Sequence, residues 1–425
     1  MIDLIKSALH DLKRQPVLGV VSVIGSALAI YLIMIVVMLQ DVKTAPIAPE
    51  SNRDRFLHCT YGSFRGEGNF FNGPYSYNFI RKYFYNLTEP EAVTAYSINN
   101  SESAVSLPGQ PTVGVDRRLT DANFWRVFDF TFIAGAPYTQ EDVDAAMPLA
   151  VITESVARQL FGSTDVVGRE FNIDFKPMRV SGVVRDVTSL ATKAYSQIWV
   201  PITWHSNDRR PYSGDLSVTM LAPSVDKMDL VRQEYIRSME SVTADTDGGM
   251  NVYIQERPYD QWTETCAQIW ANVAPDVKSA RRDRMLIYLV LFIVPAVNLS
   301  EMTRSRMRRR YAEIGVRRAF GCNRMGVIRS VFAENLVLTL IAGVIGLALA
   351  IGTCIIFDAD LFTSASFSRI GISKTFVSPS DVMRLSTFGW ALLAVFILNL
   401  LSTGIPAIRA SRINIVNALS GHIVK

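Results

Sequence analysis

VLGVVSVIGSALAIYLIMIVVML, Val17 to Leu39, runs for 23 residues without a charged side chain. At 1.5 Å rise per residue such a helix crosses a hydrocarbon core of about 30 Å, so the stretch predicts a membrane span. A cleaved leader is the competing assignment, because Lys6, Lys13 and Arg14 precede the run. Leader cores are usually about 7 to 15 residues long and end at a small-x-small cleavage site, and neither feature is found here. Residues 1–16 therefore read as a cytoplasmic amphipathic segment and 17–39 as the first span.

Three further apolar runs lie toward the C-terminus. Met285 to Leu299 has 15 residues and contains Pro295 and Asn298. Extension through Met302 and Thr303, with Arg284 snorkelling on the other flank, gives a second span over 283–303. Met325 to Phe357 supplies a third span, placed at 327–357, with Arg329 and Glu334 in its first turns at the interface. Phe388 to Ile408 is charge-free and supplies a fourth, placed at 387–408.

Four spans put both termini on one side, and the basic residues decide which. Nine arginines and only two acidic residues lie between Glu301 and Ser330, so the loop 304–326 is expected in the cytoplasm, together with the tail 409–425. Asp41 to Arg282 carries 24 basic and 30 acidic residues, a net charge of 24 − 30 = −6, and 40–282 is expected outside, as is the short loop 358–386. The expected fold class is a membrane protein of four transmembrane α-helices, with a large α+β extracytoplasmic domain inserted between helices 1 and 2. The whole-chain charge of +4 is then a topology signal and no nucleic-acid partner is expected. With 49% hydrophobic and 19% charged residues, a disordered chain is excluded.

Within the outer segment, Ala150–Thr153, Met178–Val184, Gln197–Ile202 and Leu216–Leu221 read as strands, Glu154–Phe161 as a helix ended near Gly162, and Asp226–Met239 as an amphipathic helix. Trp262, Ile269, Trp270, Val273 and Val277 form a stripe that predicts a stalk helix leading into the second span, with Pro275 kinking it or starting a new helix at Asp276.

Enzymatic chemistry finds no footing. The sequence contains no Gly-Lys dipeptide and hence no phosphate-binding P-loop, no HExxH and no GxSxG. The four histidines are scattered, and His58 beside Cys59 lacks further ligands, so neither a metal site nor a resident cofactor is expected. Cys59 and Cys266 are available for a disulfide that the sequence does not fix.

Small residues recur every four positions in the spans: Ser22 and Ser26, Gly25 and Ala29, then Ala342, Gly346 and Ala350. Such ladders let backbones approach closely, either within one subunit or between two. The loop segment YAEIGVRRAF, Tyr311 to Phe320, followed by Gly321, predicts a short surface helix ended by glycine. Its arginines suit membrane lipid headgroups, while Glu313 within so basic a stretch favours a protein partner of mixed charge.

Tyr311 to Ala350, with its EIG…R-A…G pattern followed by a Gly/Leu-rich span, resembles the four-span permeases of type VII ABC transporters, the FtsX-like and MacB-like group. PAIRASRINIVNAL (Pro406–Leu419) is similar to that group's ending. VDRRLTDANFWRVFDFTFIAG (Val115–Gly135), AVITESVARQLFG (Ala150–Gly162) with VVGREF (Val166–Phe171), and VSGVVRDV (Val180–Val187) resemble its periplasmic core domain. The resemblance implies a multi-pass protein of the bacterial inner membrane with its large domain in the periplasm. It further implies a pair of permease chains, identical or different, working with a separate cytoplasmic ATPase that holds the ATP and Mg. Carried over residue by residue, the ATPase-docking coupling helix falls on Glu313, Ile314, Gly315, Arg317, Arg318, Ala319 and Gly321, while Cys322 departs from the group's usual small residue. Mechanotransmission to the outer domain is the implied mechanism, serving export of a peptide, toxin or drug, or lipoprotein release. A periplasmic adaptor or outer-membrane partner is left open. The alternative is a membrane-anchored sensor or scaffold whose outer domain binds an envelope ligand without an ATPase.

Overall fold

The computed structural model describes residues 16–66, 70–204, 211–246, 249–267, 273–309, 316, 319–321 and 323–356, with 393, 396, 397 and 404. Two compact units share the chain, one comprising Val42–Lys278 and Asp358–Ser378, the other Met1–Asp41, Ser279–Phe357 and Pro379–Lys425. The described helices of six residues or more are α1 (Pro16–Asp41), α2 (Tyr77–Tyr83), α3 (Glu154–Phe161), α4 (Met228–Asp245), α5 (Gln261–Cys266), α6 (Val277–Arg309) and α7 (Arg324–Ile356).

The first unit is α+β. Its strands are β1 (Phe56–Cys59), β2 (Gly62–Gly66), β3 (Phe70–Gly73), β4 (Ala92–Ser97), β5 (Ser101–Ser106), β6 (Val113–Thr120), β7 (Phe132–Gly135), β8 (Leu149–Thr153), β9 (Glu170–Ile173), β10 (Lys176–Val184), β11 (Ile198–Pro201), β12 (Leu216–Leu221), β13 (Met250–Val252) and β14 (Tyr259–Asp260). Eleven of them form one sheet in the order β11-β8-β10-β9-β5-β6-β4-β12-β1-β14, with β7 beside β10, and β13-β2-β3 form a second. Because β11 also pairs with β6 in parallel, Ile198 opposite Arg117 through Pro201 opposite Thr120, six strands close into a ring: β6-β11-β8-β10-β9-β5.

Every strand of that ring contributes to one apolar cluster, including Val105, Val115, Ile152, Phe171, Val180 and Ile198. Val156, Ala157 and Leu160 join it from α3, because their spacing of one, three and four places them on one helical face. That helix is set by its caps. The Thr153 hydroxyl accepts the Val156 N–H, and Gly162 ends the helix at φ +73°, where a side chain would be strained. The larger cluster lies on β4, β12, β1 and the helices α2 and α4, with Phe56, Phe79, Phe84, Tyr96, Phe124 and Tyr235 fully buried.

In the other unit, α1 buries Ser26, Ala27, Ile30, Ile33, Met34 and Met38 and exposes Ile24, Leu28 and Leu32, so one helical stripe faces its neighbours. Ala342 and Ala350 of α7 are fully buried, and a Cβ added to Gly346 would stand 2.7 Å from the Ala27 carbonyl oxygen and 3.2 Å from Ile30 Cβ. The ladder of α7 thus admits the α1 backbone within the subunit. Ser26 and Ala29 are buried and Gly25 is half-buried, while Ser22 lies in α1. Phe292 of α6 packs on Ile33. Arg284 donates to the Gln40 side chain, so its head has a protein partner in addition to the interface expected for it.

Two of the described helices contain windows long and apolar enough to cross a membrane, Val23–Asp41 and Leu336–Thr353. The second expected span lies inside α6, whose 33 residues extend about 50 Å and run through Arg309, beyond the expected limit at 303. The fourth, 387–408, lies outside the described residues except at four positions. Of the two readings at Pro275, the new helix is the one found: α5 ends at Cys266, Ala267 is extended (φ −67°, ψ 134°), and the next described helix starts at Val277, one residue past the expected Asp276. Proline removes a backbone donor and clashes with the preceding turn, which makes it a natural start point and a poor interior residue.

Gly346→Ala should lower the thermal midpoint of the purified chain, at a cost of about 1–3 kcal/mol from overpacking against the α1 backbone. Gly343→Ala, where an added methyl meets nothing within 4 Å among the described residues, should leave the midpoint unchanged or raise it slightly. Differential scanning fluorimetry in detergent separates the two.

Candidate functional site

The chain comes from α1 into the α+β unit through Val42–Arg53 and leaves by β14 and α5. These incoming and outgoing segments are neighbours, because β1 pairs antiparallel with β14, Leu57 opposite Asp260 and His58 opposite Tyr259. A third segment, 188–196 between β10 and β11 of the ring, meets both. Its Leu190, Ala191 and Ala194 are buried, and a loop taken out of water leaves amides and carbonyls that need partners.

Two buried arginines and one glutamate supply them. Arg53 donates from Nη2 to the Leu190 carbonyl (2.6 Å), from Nη1 to the Val42 (2.8 Å) and Ala45 (2.9 Å) carbonyls, and from Nε to Glu50 (2.7 Å). Glu50 Oε1 accepts the backbone N–H of Lys193 (2.6 Å) and of Ala194 (2.9 Å). From β6, Arg118 donates to the Lys193 (2.8 Å) and Tyr195 (3.1 Å) carbonyls. Burial lowers the Arg118 guanidinium to about 10, which leaves it charged at neutral pH.

The Lys193 side chain points the other way, to the outgoing helix. Its ammonium donates to Glu264 (2.7 Å) and Thr60 (3.0 Å), and the Thr60 hydroxyl donates to Glu264. The side chains of Lys193 and Glu264 are only 19% and 13% exposed, so solvent screens them little. Burial alone would raise the Glu264 carboxyl, but the Lys193 ammonium, nearby His58 and the hydrogen bonds from Lys193 and Thr60 hold it down at about 2. Burial likewise opposes the Lys193 charge, and Glu264 more than restores it, so this lysine titrates above its ordinary range.

A second thread runs through His58. Gln261 donates its amide to the Lys43 carbonyl (2.8 Å), so its oxygen faces His58 Nε2 (2.9 Å), and Nε2 carries the imidazole proton. Nδ1 then accepts from Thr219 (3.1 Å), whose oxygen is 2.8 Å from the Tyr96 hydroxyl. Burial, with the Lys193 charge nearby, lowers His58 to about 4. Cys59 points elsewhere on the strand as a free buried thiol pushed up to about 12 by burial, and Cys266 is also free. Among the described residues no group of three acidic, His or Cys side chains is placed to hold a metal.

Two family models match the chain. The MacB-like periplasmic core domain matches residues 17–237 and the FtsX-like permease C-terminal region matches 285–415. The chain belongs to the MacB-like ABC permease family. Among curated relatives it is 22% identical over 303 residues to the macrolide export ATP-binding/permease protein MacB of Shigella sonnei, covering 70% of this chain and 42% of that one. It is 23% identical over 227 residues to the ABC transporter permease YknZ of Bacillus subtilis, covering 53% and 54%. This MacB-like permease thus spans about half the length of the curated relatives it matches. Among solved structures, the periplasmic region of MacB from Actinobacillus actinomycetemcomitans has a TM-score of 0.32 at 14% identity, covering 46% of this chain and 88% of that chain. The extracellular domain of YknZ from Gram-positive bacteria has a TM-score of 0.31 at 14% identity, covering 45% and 99%.

Of the coupling-helix residues, Glu313, Ile314, Gly315, Arg317 and Arg318 lie outside the described residues. Ala319 is helical and exposed, and Gly321 takes φ +94°, the left-handed conformation of a glycine stop. Phe320, which the sequence reading did not single out, is 89% exposed, and Val316, four residues back on the same face, is 43% exposed. The junction residues Glu50, Arg53, Lys193 and Glu264 were also not singled out, since nothing in the local pattern marks a buried charge.

The His58 value gives a signed pH dependence. Its folded pKa of about 4 lies below the ordinary imidazole value of 6.5, so the unfolded MacB-like chain takes the proton first. The associated stability is complete above 6.5 and is lost as pH falls toward 4, on the order of 3 kcal/mol in all. Asp121, raised to about 6 by burial, acts in the opposite sense below that pH. Unfolding midpoints of the purified chain should therefore decline between pH 6.5 and 6, and His58→Gln should flatten the decline.

Proposed function

We propose that this chain is the permease subunit of an ABC transporter whose ATP is hydrolysed by a separate cytoplasmic ATPase. It crosses the bacterial inner membrane four times, carries 42–278 in the periplasm, and works paired with a second permease chain. ATP-driven closure of the ATPase moves the coupling helix, and the spans carry that movement to the outer domain. The substrate class is export of a peptide, toxin or drug, or release of a lipoprotein. The family match supports the transporter class.

The observation that carries the mechanical part is the junction. Both chain connections of the outer domain are bonded to one buried loop, an arrangement suited to a domain that is moved by its tethers. The exposed pair Val316 and Phe320 beside the arginine-rich segment suits docking, since aromatic and arginine side chains dominate binding hot spots.

Purification of the native complex in mild detergent should recover a P-loop ATPase in equal numbers with this chain. Glu313→Lys with Arg317→Glu and Arg318→Glu should abolish its retention. Phe320→Ala should weaken it by about 2 kcal/mol, roughly thirtyfold in affinity. A chain that purifies alone even with ATP trapped would point instead to a membrane-anchored sensor or scaffold.

A further inference from the structure

We propose that Lys193 is the positioning residue that makes the six-stranded ring follow the outgoing helix α5. The proposal rests on the ATP-driven reading above, which supplies the movement to be transmitted.

Three separate parts of the outer domain converge on this one residue. Its amide is held by Glu50 of the incoming segment, its carbonyl by Arg118 of ring strand β6, and its ammonium by Glu264 of α5. The next residue is fixed as well, since Trp199 Nε1 of ring strand β11 donates to the Ala194 carbonyl (3.1 Å). The backbone attachments and the side-chain attachment are chemically independent. Removing the ammonium leaves the loop docked through Glu50, Arg53 and Arg118 and severs the bond to α5. A surface pair would transmit little, because exposed ion pairs exchange with water and salt, but this one is nearly enclosed and shared with Thr60. The ammonium donates to Glu264 and Thr60, and the ion pair holds its proton in place, which does not suit a base or nucleophile.

The test uses the full chain with its ATPase in nanodiscs, following hydrogen exchange with and without vanadate-trapped nucleotide. In the unaltered complex, trapping should change exchange in 261–266 and in 188–196. In Lys193→Met the response of 261–266 should persist and that of 188–196 should be lost, with ATPase retention unchanged. Lys193→Arg, which keeps a cation for Glu264, should restore the response. A merely structural role would raise exchange equally in both nucleotide states. A nucleotide response at 188–196 that survives in Lys193→Met overturns the inference and leaves the transporter reading intact. Absence of a response at 188–196 in the unaltered, turning-over complex does the same. Failure of any ATPase to bind the unaltered chain overturns the transporter reading, and this inference with it.

Discussion

Enclosing the backbone of 188–196 is the constraint from which the junction follows. Buried carbonyls and amides left unpaired cost about 1–3 kcal/mol each, so the loop can be buried only if donors and acceptors reach it from elsewhere. Arg53 and Arg118 do so because a guanidinium offers several donors in a rigid fork. Placing them there creates a second demand, that buried charges be paired, which Glu50 meets for Arg53. Since the donors sit on the incoming segment and on β6, satisfying the loop also fastens it to both. The cost of stranding a buried charge, about 3–5 kcal/mol, is comparable with much of a domain's net stability of about 5–15 kcal/mol.

Local structure was legible where local chemistry sets it. The strands at Ala150–Thr153, Met178–Val184 and Leu216–Leu221 and the helix Glu154–Phe161 lie where alternation, periodicity and the Thr153 and Gly162 caps put them. The ring was not legible, because its closure depends on β11 meeting β6 across about 80 residues, a pairing that no local pattern encodes. The Lys193–Glu264 pair was hidden for the same reason: in TSLATKAYS a lone lysine looks like an ordinary solvated residue. The helical spacing of apolar residues runs on past Ala267 and Pro275, and it is the proline rather than the stripe that marks where the next helix begins.

The membrane-side unit shows a different balance. Lipid tails are as apolar as leucine, so burying more leucine gives the helices little reason to associate, and close backbone contact matters more. Gly346 beside Ala27 and Ile30, with Ala342 and Ala350 a turn to either side, gives α1 and α7 that closeness. The Thr353 hydroxyl adds a bond to the Tyr31 hydroxyl at 3.2 Å. The outward-facing Ile24, Leu28 and Leu32 have the character of a lipid-facing surface.

Closure of the six-stranded ring also bears on how the outer domain meets other molecules. An open sheet offers a row of free amides and carbonyls that any extended chain can extend by one more strand. In the ring, each of the six strands is flanked on both sides, and among the described strands of that lobe only the four-residue β7, paired with β10 alone, keeps an open side. Recognition there falls to side chains and loop tips, such as the hairpin turn where Phe175 stands 83% exposed at φ +65°. A lobe whose described edge is one short strand gives extended chains little to template on.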